Sequence, residues 1–94
     1  MLNQFILVGR VESIDKEDNK CILTLRIPRN YKNENGKYDN DIVKIQVFDS
    51  LSDKVSKYCK KDEMAGIRGI IQSDNILLAE KISILSSKKE KDSD

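Results

Sequence analysis

The sequence predicts an all-β fold, a five-stranded barrel with one short helix between strands 3 and 4. Several stretches alternate apolar and polar residues with a period of two, which is the pattern of half-buried strands. A helical spacing of apolar residues is found once, after residue 48. Glycines lie within the first and fourth expected strands, where a sheet that curls into a barrel needs them.

The first strand is predicted over residues 4–14, QFILVGRVESI. It begins as a continuous apolar run, which suits a strand that is buried on both faces or that pairs with another subunit. Gly9 lies within this run and indicates a bend or a close approach of two backbones, as at a barrel corner. The polar residues 15–20, DKEDNK, are predicted to form a turn.

The second strand is predicted over residues 21–29, CILTLRIPR. Its alternation predicts one apolar face, made of Cys21, Leu23, Leu25 and Ile27. Because Pro28 has no N–H to donate, the strand is expected to end there or to lie at a sheet edge. Residues 30–40 are predicted to be a loop, with Asn35-Gly36 as its turn dipeptide.

The third strand is predicted over residues 42–48, IVKIQVF. Val43, Ile45 and Val47 share one face and are expected in the core. The other face carries Ile42, Lys44, Gln46 and Phe48. A lysine and a glutamine between large apolar groups are typical neither of a core nor of an ordinary solvent face. Such a surface would suit flat rings that are attached to a charged backbone.

The single helix is predicted to start at Ser50, with Asp53 completing a capping box. Four residues share its apolar face and are expected to pack on the barrel: Leu51, Val55, Tyr58 and Cys59. Lys60 and Lys61 are expected at its end, where positive charge complements the helix dipole.

The last two strands are predicted over residues 63–72 and 76–85, joined by the short turn of residues 73–75. Three strands, a helix and two strands, with glycines where the sheet must curl, are the order of the OB-fold barrel. We therefore predict one OB-fold domain over residues 1–85. Residues 86–94 contain no apolar residue and are predicted to be a disordered charged tail.

Composition argues against several function classes. The chain of 94 residues has a net charge of +1 and no histidine, which removes the commonest general base and neutral metal ligand. Cys21 and Cys59 are isolated, so we expect buried thiols of a cytosolic protein rather than a zinc site or a disulfide. We expect no catalysis, no cofactor and no metal. The start, MLNQFILVGR, lacks a basic leader, and we expect neither secretion nor a membrane span.

Three segments, taken in order, resemble the bacterial and phage single-stranded DNA-binding proteins. They are ILVGRV at residues 6–11, PRNYKNENG at 28–36 and VFDSLSDKVSKYCKKDEMAGIRG at 47–69. The resemblance spans residues 1 to about 85. It implies sequence-independent binding of single-stranded DNA in replication, recombination or repair, in the cytoplasm and without a membrane. It also implies a homotetramer, with a dimer as the alternative, and the apolar run FILV would offer a surface for pairing subunits.

The resemblance assigns roles to individual positions. Tyr31 and Phe48 match stacking aromatics, Lys44 matches a basic position, and Ile42 falls where the family has an aromatic. The turn of residues 73–75 replaces a longer hairpin that carries a further aromatic. The tail KKEKDSD lacks the apolar tip through which many family members recruit partners. These departures imply weaker stacking and no recruitment of repair proteins through the tail.

Residues 26–37 contain four basic residues against Glu34 as the one acidic residue, in a chain that is otherwise nearly neutral. Together with two further cations they predict a basic stripe interleaved with aromatic rings, as single-strand binding requires. The predicted DNA-binding residues are Tyr31, Phe48, Lys44, Ile42, Arg26, Arg29, Lys32, Tyr38 and Arg10.

Each of these residues also has an ordinary structural interpretation. Phe48 would pack against the helix, Tyr38 would cover the hairpin, and Lys44 or Arg26 would be solvated strand charges. The alternative function is an OB-fold adaptor that uses the same face to bind a protein, as in a primosome or conjugation complex. The absence of two stacking aromatics favours this alternative, and the basic stripe with Tyr31 favours DNA.

Overall fold

The computed structural model describes residues 1–85, and the predicted tail lies outside the described residues. The elements are β1 (Phe5–Glu17), β2 (Lys20–Lys32), β3 (Tyr38–Phe48), α1 (Asp49–Tyr58), β4 (Met64–Gln72), a 3₁₀ turn (Ser73–Asn75) and β5 (Ile76–Ile84). The strands form a closed barrel in the order β1-β2-β3-β5-β4. Antiparallel pairing of β1 with β4 and a parallel contact between β3 and β5 complete the closure. The predicted OB-fold is confirmed.

The core lies inside the barrel and under α1. It is built from the alternate residues of the strands, as the period of two requires. Its fully buried large side chains include Val11, Leu23, Leu25, Ile45, Val47, Val55 and Ile67. Cys21 and Cys59 are buried free thiols. No helix in the described part of the chain is long and apolar enough to cross a membrane.

Strands β1 and β2 are longer than the composition predicts, and the connections that follow them are shorter. β1 continues to Glu17, and the predicted turn of residues 15–20 shrinks to Asp18 and Asn19. β2 continues past Pro28, and most of the predicted loop belongs to a β2–β3 hairpin. Pro28 is tolerated because the register is irregular between it and Lys32. The prediction was wrong here because charged residues also pair in an exposed two-stranded ribbon.

The tip of this hairpin has the expected turn chemistry. Gly36 adopts a φ of 77°, a conformation that costs glycine little. The side-chain oxygen of Asn33 accepts hydrogen bonds from the backbone N–H groups of Asn35 and Lys37, at 2.8 and 3.0 Å. The ribbon is therefore closed by a side chain that replaces missing backbone partners.

The start of the helix differs from the prediction. α1 begins at Asp49, its N-cap is Phe48, and no side chain caps it, so the predicted capping box is wrong. The helix is placed by the strand that runs directly into it. Lys57 is the basic residue in its last turn, and Lys60 and Lys61 follow after its end.

Tyr58 does not pack in the core. It is 56% exposed, with the Lys57 ammonium 5.4 Å from its ring centroid. The buried residues of the helix are Ser52 and Val55. Because the buried stripe is centred between these two positions, Tyr58 lies at its edge.

Two glycines permit the close approaches that the barrel needs. A Cβ at Gly69 would overlap the carbonyl oxygen of Leu78, and one at Gly9 would lie 2.9 Å from the carbonyl oxygen of Arg26. At Gly66 the nearest atoms belong to the flexible Leu85 side chain. The predicted close approach at Gly9 is confirmed, and in β4 it depends on Gly69.

Candidate nucleic-acid interface

The outer side of strands β2 and β3 forms one continuous surface, here called the β2–β3 outer face. Residues that pair across the two strands share a side of the sheet. The core side carries the pairs Cys21–Val47, Leu23–Ile45 and Leu25–Val43. The outer face carries the pairs Lys20–Phe48, Ile22–Gln46, Thr24–Lys44 and Arg26–Ile42. The separation of residues 42–48 into a core side and an unusual outer side is therefore confirmed.

Phe48 stands at the end of this face where β3 meets the helix. Phe48 is 38% exposed, and the ammonium of Lys20 lies 5.9 Å from its ring centroid. Sequence reasoning missed Lys20, which it assigned to a turn. The pairing of Lys20 with Phe48 in the hairpin register brings the two together. This corner thus offers a flat ring beside a cation.

An open groove of about 420 Å³ runs along the outer face toward the start of β5. Its apolar lining comes from Ile22, Ile76 and Leu77, and Lys44 and Gln46 supply polar groups. Two carboxylates, Asp15 and Glu17, line it as well. Sequence reasoning missed these two because it placed them in a turn, whereas they belong to β1. The groove is therefore of mixed charge rather than uniformly basic.

The hairpin carries the two predicted tyrosines. Tyr31 and Tyr38 are exposed and lie in strands rather than in a loop. Lys32 pairs with Tyr38 across the ribbon, with its ammonium 5.9 Å from the ring centroid. The hairpin thus presents two rings and a cation beyond the barrel.

Arg26 lies at the centre of an ion network. Its guanidinium donates to Glu12 at 2.6 Å and to Asp62 at 3.0 Å. Arg10 also donates to the backbone carbonyl of Asp62, at 3.0 Å, and Lys61 donates to that of Glu12, at 3.3 Å. The hydrogen bond from Arg26 is the main cause that holds the pKa of Asp62 below its usual value. The network joins β1, β2 and the turn between α1 and β4.

Arg29 is paired differently. Its Nε lies 3.3 and 3.2 Å from the two carboxylate oxygens of Asp41, and its Nη2 lies 3.0 Å from Oδ1. This fork lowers the pKa of Asp41 and raises that of Arg29. The predicted basic stripe is therefore partly neutralised. In the described part of the chain, Lys32, Lys37 and Lys44 have no carboxylate partner.

The structure distributes the predicted residues over three places. Ile42, Lys44 and Phe48 share the β2–β3 outer face. The hairpin holds Arg29, Tyr31, Lys32 and Tyr38. Arg10 and Arg26 belong to the ion network. Within the described residues no group of three or more metal-ligating side chains comes together.

Comparison with known proteins identifies the family of this chain. The sequence pattern described as "Single-strand binding protein family" matches residues 2–81. The chain belongs to this family. It is 33% identical over 81 residues to Single-stranded DNA-binding protein 1 of Staphylococcus aureus (strain MSSA476), an overlap of 80% of this chain and 52% of that protein. It is 33% identical over 82 residues to the Single-stranded DNA-binding protein of Streptococcus mutans, covering 80% and 49%. The chain spans about half the length of these two relatives.

Solved structures share the fold of this family member. A small single-stranded DNA-binding protein from Mycoplasma pneumoniae superposes with a TM-score of 0.74 at 22% identity, covering 93% of this chain and 98% of that one. The Plasmodium falciparum single-strand binding protein in complex with single-stranded DNA gives a TM-score of 0.68 at 18% identity, covering 92% and 96%. At these identities the likeness establishes the OB-fold.

Proposed function

We propose that this family member binds single-stranded DNA without sequence preference and without catalysis, in replication, recombination or repair in the cytoplasm. One observation carries the proposal. On the β2–β3 outer face, Ile42 and Phe48 are exposed on either side of Lys44, which has no carboxylate partner among the described residues. An aromatic ring and an apolar side chain beside an available cation suit the bases and the phosphates of a single strand.

The proposed roles follow from these positions. Tyr31 and Phe48 stack on bases, each contributing about 1–3 kcal/mol, and Ile42 provides an apolar contact between them. Lys44 and Lys32 contact phosphates, with Tyr38 beside Lys32. From Ile42 to Phe48 the strand extends roughly 20 Å at about 3.3 Å per residue, enough for about three or four bases. Arg10 and Arg29 remain proposed phosphate contacts whose present carbonyl and carboxylate partners compete with DNA. For Arg26, which two carboxylates hold, we propose a structural role in the ion network instead of the phosphate contact predicted from the sequence.

We further propose that the protein self-associates as a homotetramer through β1. Along the apolar run of this strand Phe5 is buried, whereas Ile6 and Val8 are exposed. With Leu85 they line an apolar depression of about 230 Å³ on the side of the barrel away from β3. A second copy of the same strand would cover these side chains. In such a tetramer the pairing of β1 would supply one of the interfaces. Multi-angle light scattering of the wild type and of Val8→Glu tests this, since a charge at the pairing surface should yield a smaller assembly, and a wild-type dimer would correct the stoichiometry.

Fluorescence anisotropy with labelled oligo-dT of about 35 nucleotides tests the proposed function. We expect binding that weakens as salt rises, by about 0.7 log units of affinity per phosphate contact per decade of salt, and much weaker binding to a duplex of equal length. The double variant Tyr31→Ala/Phe48→Ala should lose most of the affinity. Tyr58→Ala is the matched control, because Tyr58 is an exposed tyrosine on the helix and outside the proposed interface.

The outcomes separate the two candidate functions. If both aromatic substitutions leave the affinity unchanged, the stacking roles are wrong. If the wild type does not bind oligo-dT even at low salt, the DNA proposal fails, and an adaptor that uses this face for a protein partner takes its place.

A further inference from the structure

The side chains of Arg29 and Asp41 form an exposed charged fork in the β2–β3 hairpin. The three donor–acceptor distances lie between 3.0 and 3.3 Å and involve both carboxylate oxygens. The side chains are 39% and 52% exposed, so solvent reaches both of them. A guanidinium presents the same planar donor edge to a carboxylate and to a phosphate. Asp41 therefore occupies the edge that a DNA phosphate would use.

The position of this fork places it within reach of a strand bound at the hairpin. Asp41 lies opposite Ile27 and directly before Ile42, on the side that continues the core face beyond the barrel. Tyr31 follows Arg29 by two residues on β2. A base stacked on Tyr31 would bring its own phosphates close to Arg29.

We propose that Asp41 is an internal competitor for phosphate that sets the DNA affinity of this protein. It lowers affinity in two ways, because it occupies Arg29 in the free protein and remains as a negative charge near the backbone in the complex. The inference rests on the proposed function and adds a residue that limits it. Exposed ion pairs stabilise little, so phosphate displaces Asp41 from Arg29 at small cost to the fold.

The exchange of a carboxylate for a phosphate is expected at Arg29 and not at Arg26, because the two arginines are held differently. Two carboxylates from different elements hold Arg26, and its side chain is only 30% exposed. Displacing them would open the network that joins β1 to the turn after α1. The carboxylate of Asp41 is the only one with which Arg29 forms an ion pair among the described residues, and it comes from the neighbouring strand of the same hairpin.

Anisotropy titrations of oligo-dT across a salt series test the proposal with Asp41→Asn. The matched control is Asp39→Asn, which removes the same charge from the same strand at a carboxylate that accepts from Asn33 rather than from Arg29. We expect D41N to bind more tightly than D39N and to gain one phosphate contact. One further contact makes the plot of log affinity against log salt concentration steeper by about 0.7. The affinity ratio of D41N to D39N should therefore grow about fivefold for each tenfold decrease in salt.

The double variant Arg29→Gln/Asp41→Asn should lose the affinity that D41N gains, because it lacks the Arg29 guanidinium that D41N makes available. Circular dichroism checks that each variant is folded, and Asp41→Thr, which suits a strand, replaces D41N if the asparagine lowers the melting temperature. Equal slopes and affinities for D41N and D39N, with a wild type that binds, would overturn this inference alone. A wild type that fails to bind at low salt would overturn the proposed function together with it.

Discussion

The two arginines of β2 show how one ion-pair chemistry serves two purposes in this barrel. In the barrel half of the strand, residues 20–27, Arg26 is held by Glu12 of β1 and by Asp62 of the turn after α1. In the hairpin half, residues 28–32, Arg29 meets Asp41 of the adjacent strand. The first pairing joins distant segments, whereas the second adds little to a hairpin that backbone hydrogen bonds already hold. We infer from this difference that the number of elements an ion pair connects sets how easily a ligand can displace it.

The largest expected difference between the two halves concerns stability. Leu23 is fully buried in the barrel half, and Leu23→Ala should lower the free energy of unfolding by about 2–5 kcal/mol because it leaves a cavity. Tyr31 lies in the hairpin half and is 61% exposed. Its substitution by alanine should change the free energy of unfolding by no more than about 0.5 kcal/mol. Urea titrations followed by circular dichroism measure both. Equal destabilisation would mean that the hairpin is part of the cooperative core.

Substitutions of the two arginines should affect stability and DNA binding separately. Arg26→Gln breaks two charged hydrogen bonds and should lower the melting temperature while leaving the salt slope for oligo-dT unchanged. Arg29→Gln should leave the melting temperature near that of the wild type, and in the Asp41→Asn background it should make the salt slope for oligo-dT shallower by about 0.7. Thermal melts and salt-series titrations of the same preparations give both quantities. The reverse pattern would exchange the roles assigned to the two residues.

The smallest expected effect is a dependence of stability on pH through Asp62. Its pKa is lowered in the folded protein, chiefly by the hydrogen bond from Arg26. A carboxyl with a lowered folded-state pKa contributes stability that is fully present above its unfolded pKa, about 3.9, and that is lost as the pH falls through the folded value. The stability difference between the wild type and Asp62→Asn should therefore shrink on acidification below about pH 4.

Asparagine is the appropriate replacement because Asp62 has a φ of 71°, a conformation that Asn also accepts. A difference between the two proteins that stays constant from neutral to acidic pH would show that the charge of Asp62 does not stabilise the network. Denaturant titrations at several pH values provide the comparison.

Strict alternation made part of the molecule predictable. Residues 43–47 alternate apolar and polar without interruption, so both sides of β3 could be predicted from the sequence, including the unusual Lys44 on the same side as Ile42. The hairpin half could not be predicted, because residues 28–40 show no alternation of apolar and polar residues that would indicate a strand. The exposure of Tyr58 was not predicted because it depends on the rotation of the helix about its axis relative to the barrel.

Charge partners were the least predictable feature of the interface. Glu12 and Asp62 are 14 and 36 residues from Arg26 in the chain. The pairing of β1 with β2 brings Glu12 to Arg26, and the pairing of β1 with β4 brings Asp62 there. Asp15 and Glu17 were assigned to a turn, so the acidic side of the groove had no signal in the sequence. The pair of Arg29 and Asp41 required the hairpin register, which the irregularity after Pro28 conceals.

The central claim, that single-stranded DNA occupies the β2–β3 outer face and the hairpin, is tested most directly by mapping the contact surface. Amide chemical-shift changes of the ¹⁵N-labelled protein on titration with a short oligo-dT locate it residue by residue. We expect the largest changes at Tyr31, Lys44 and Phe48, and little change at Ile6 and Val8 of β1. Changes confined to β1 and β4, with Lys44 and Phe48 unmoved, would contradict the claim.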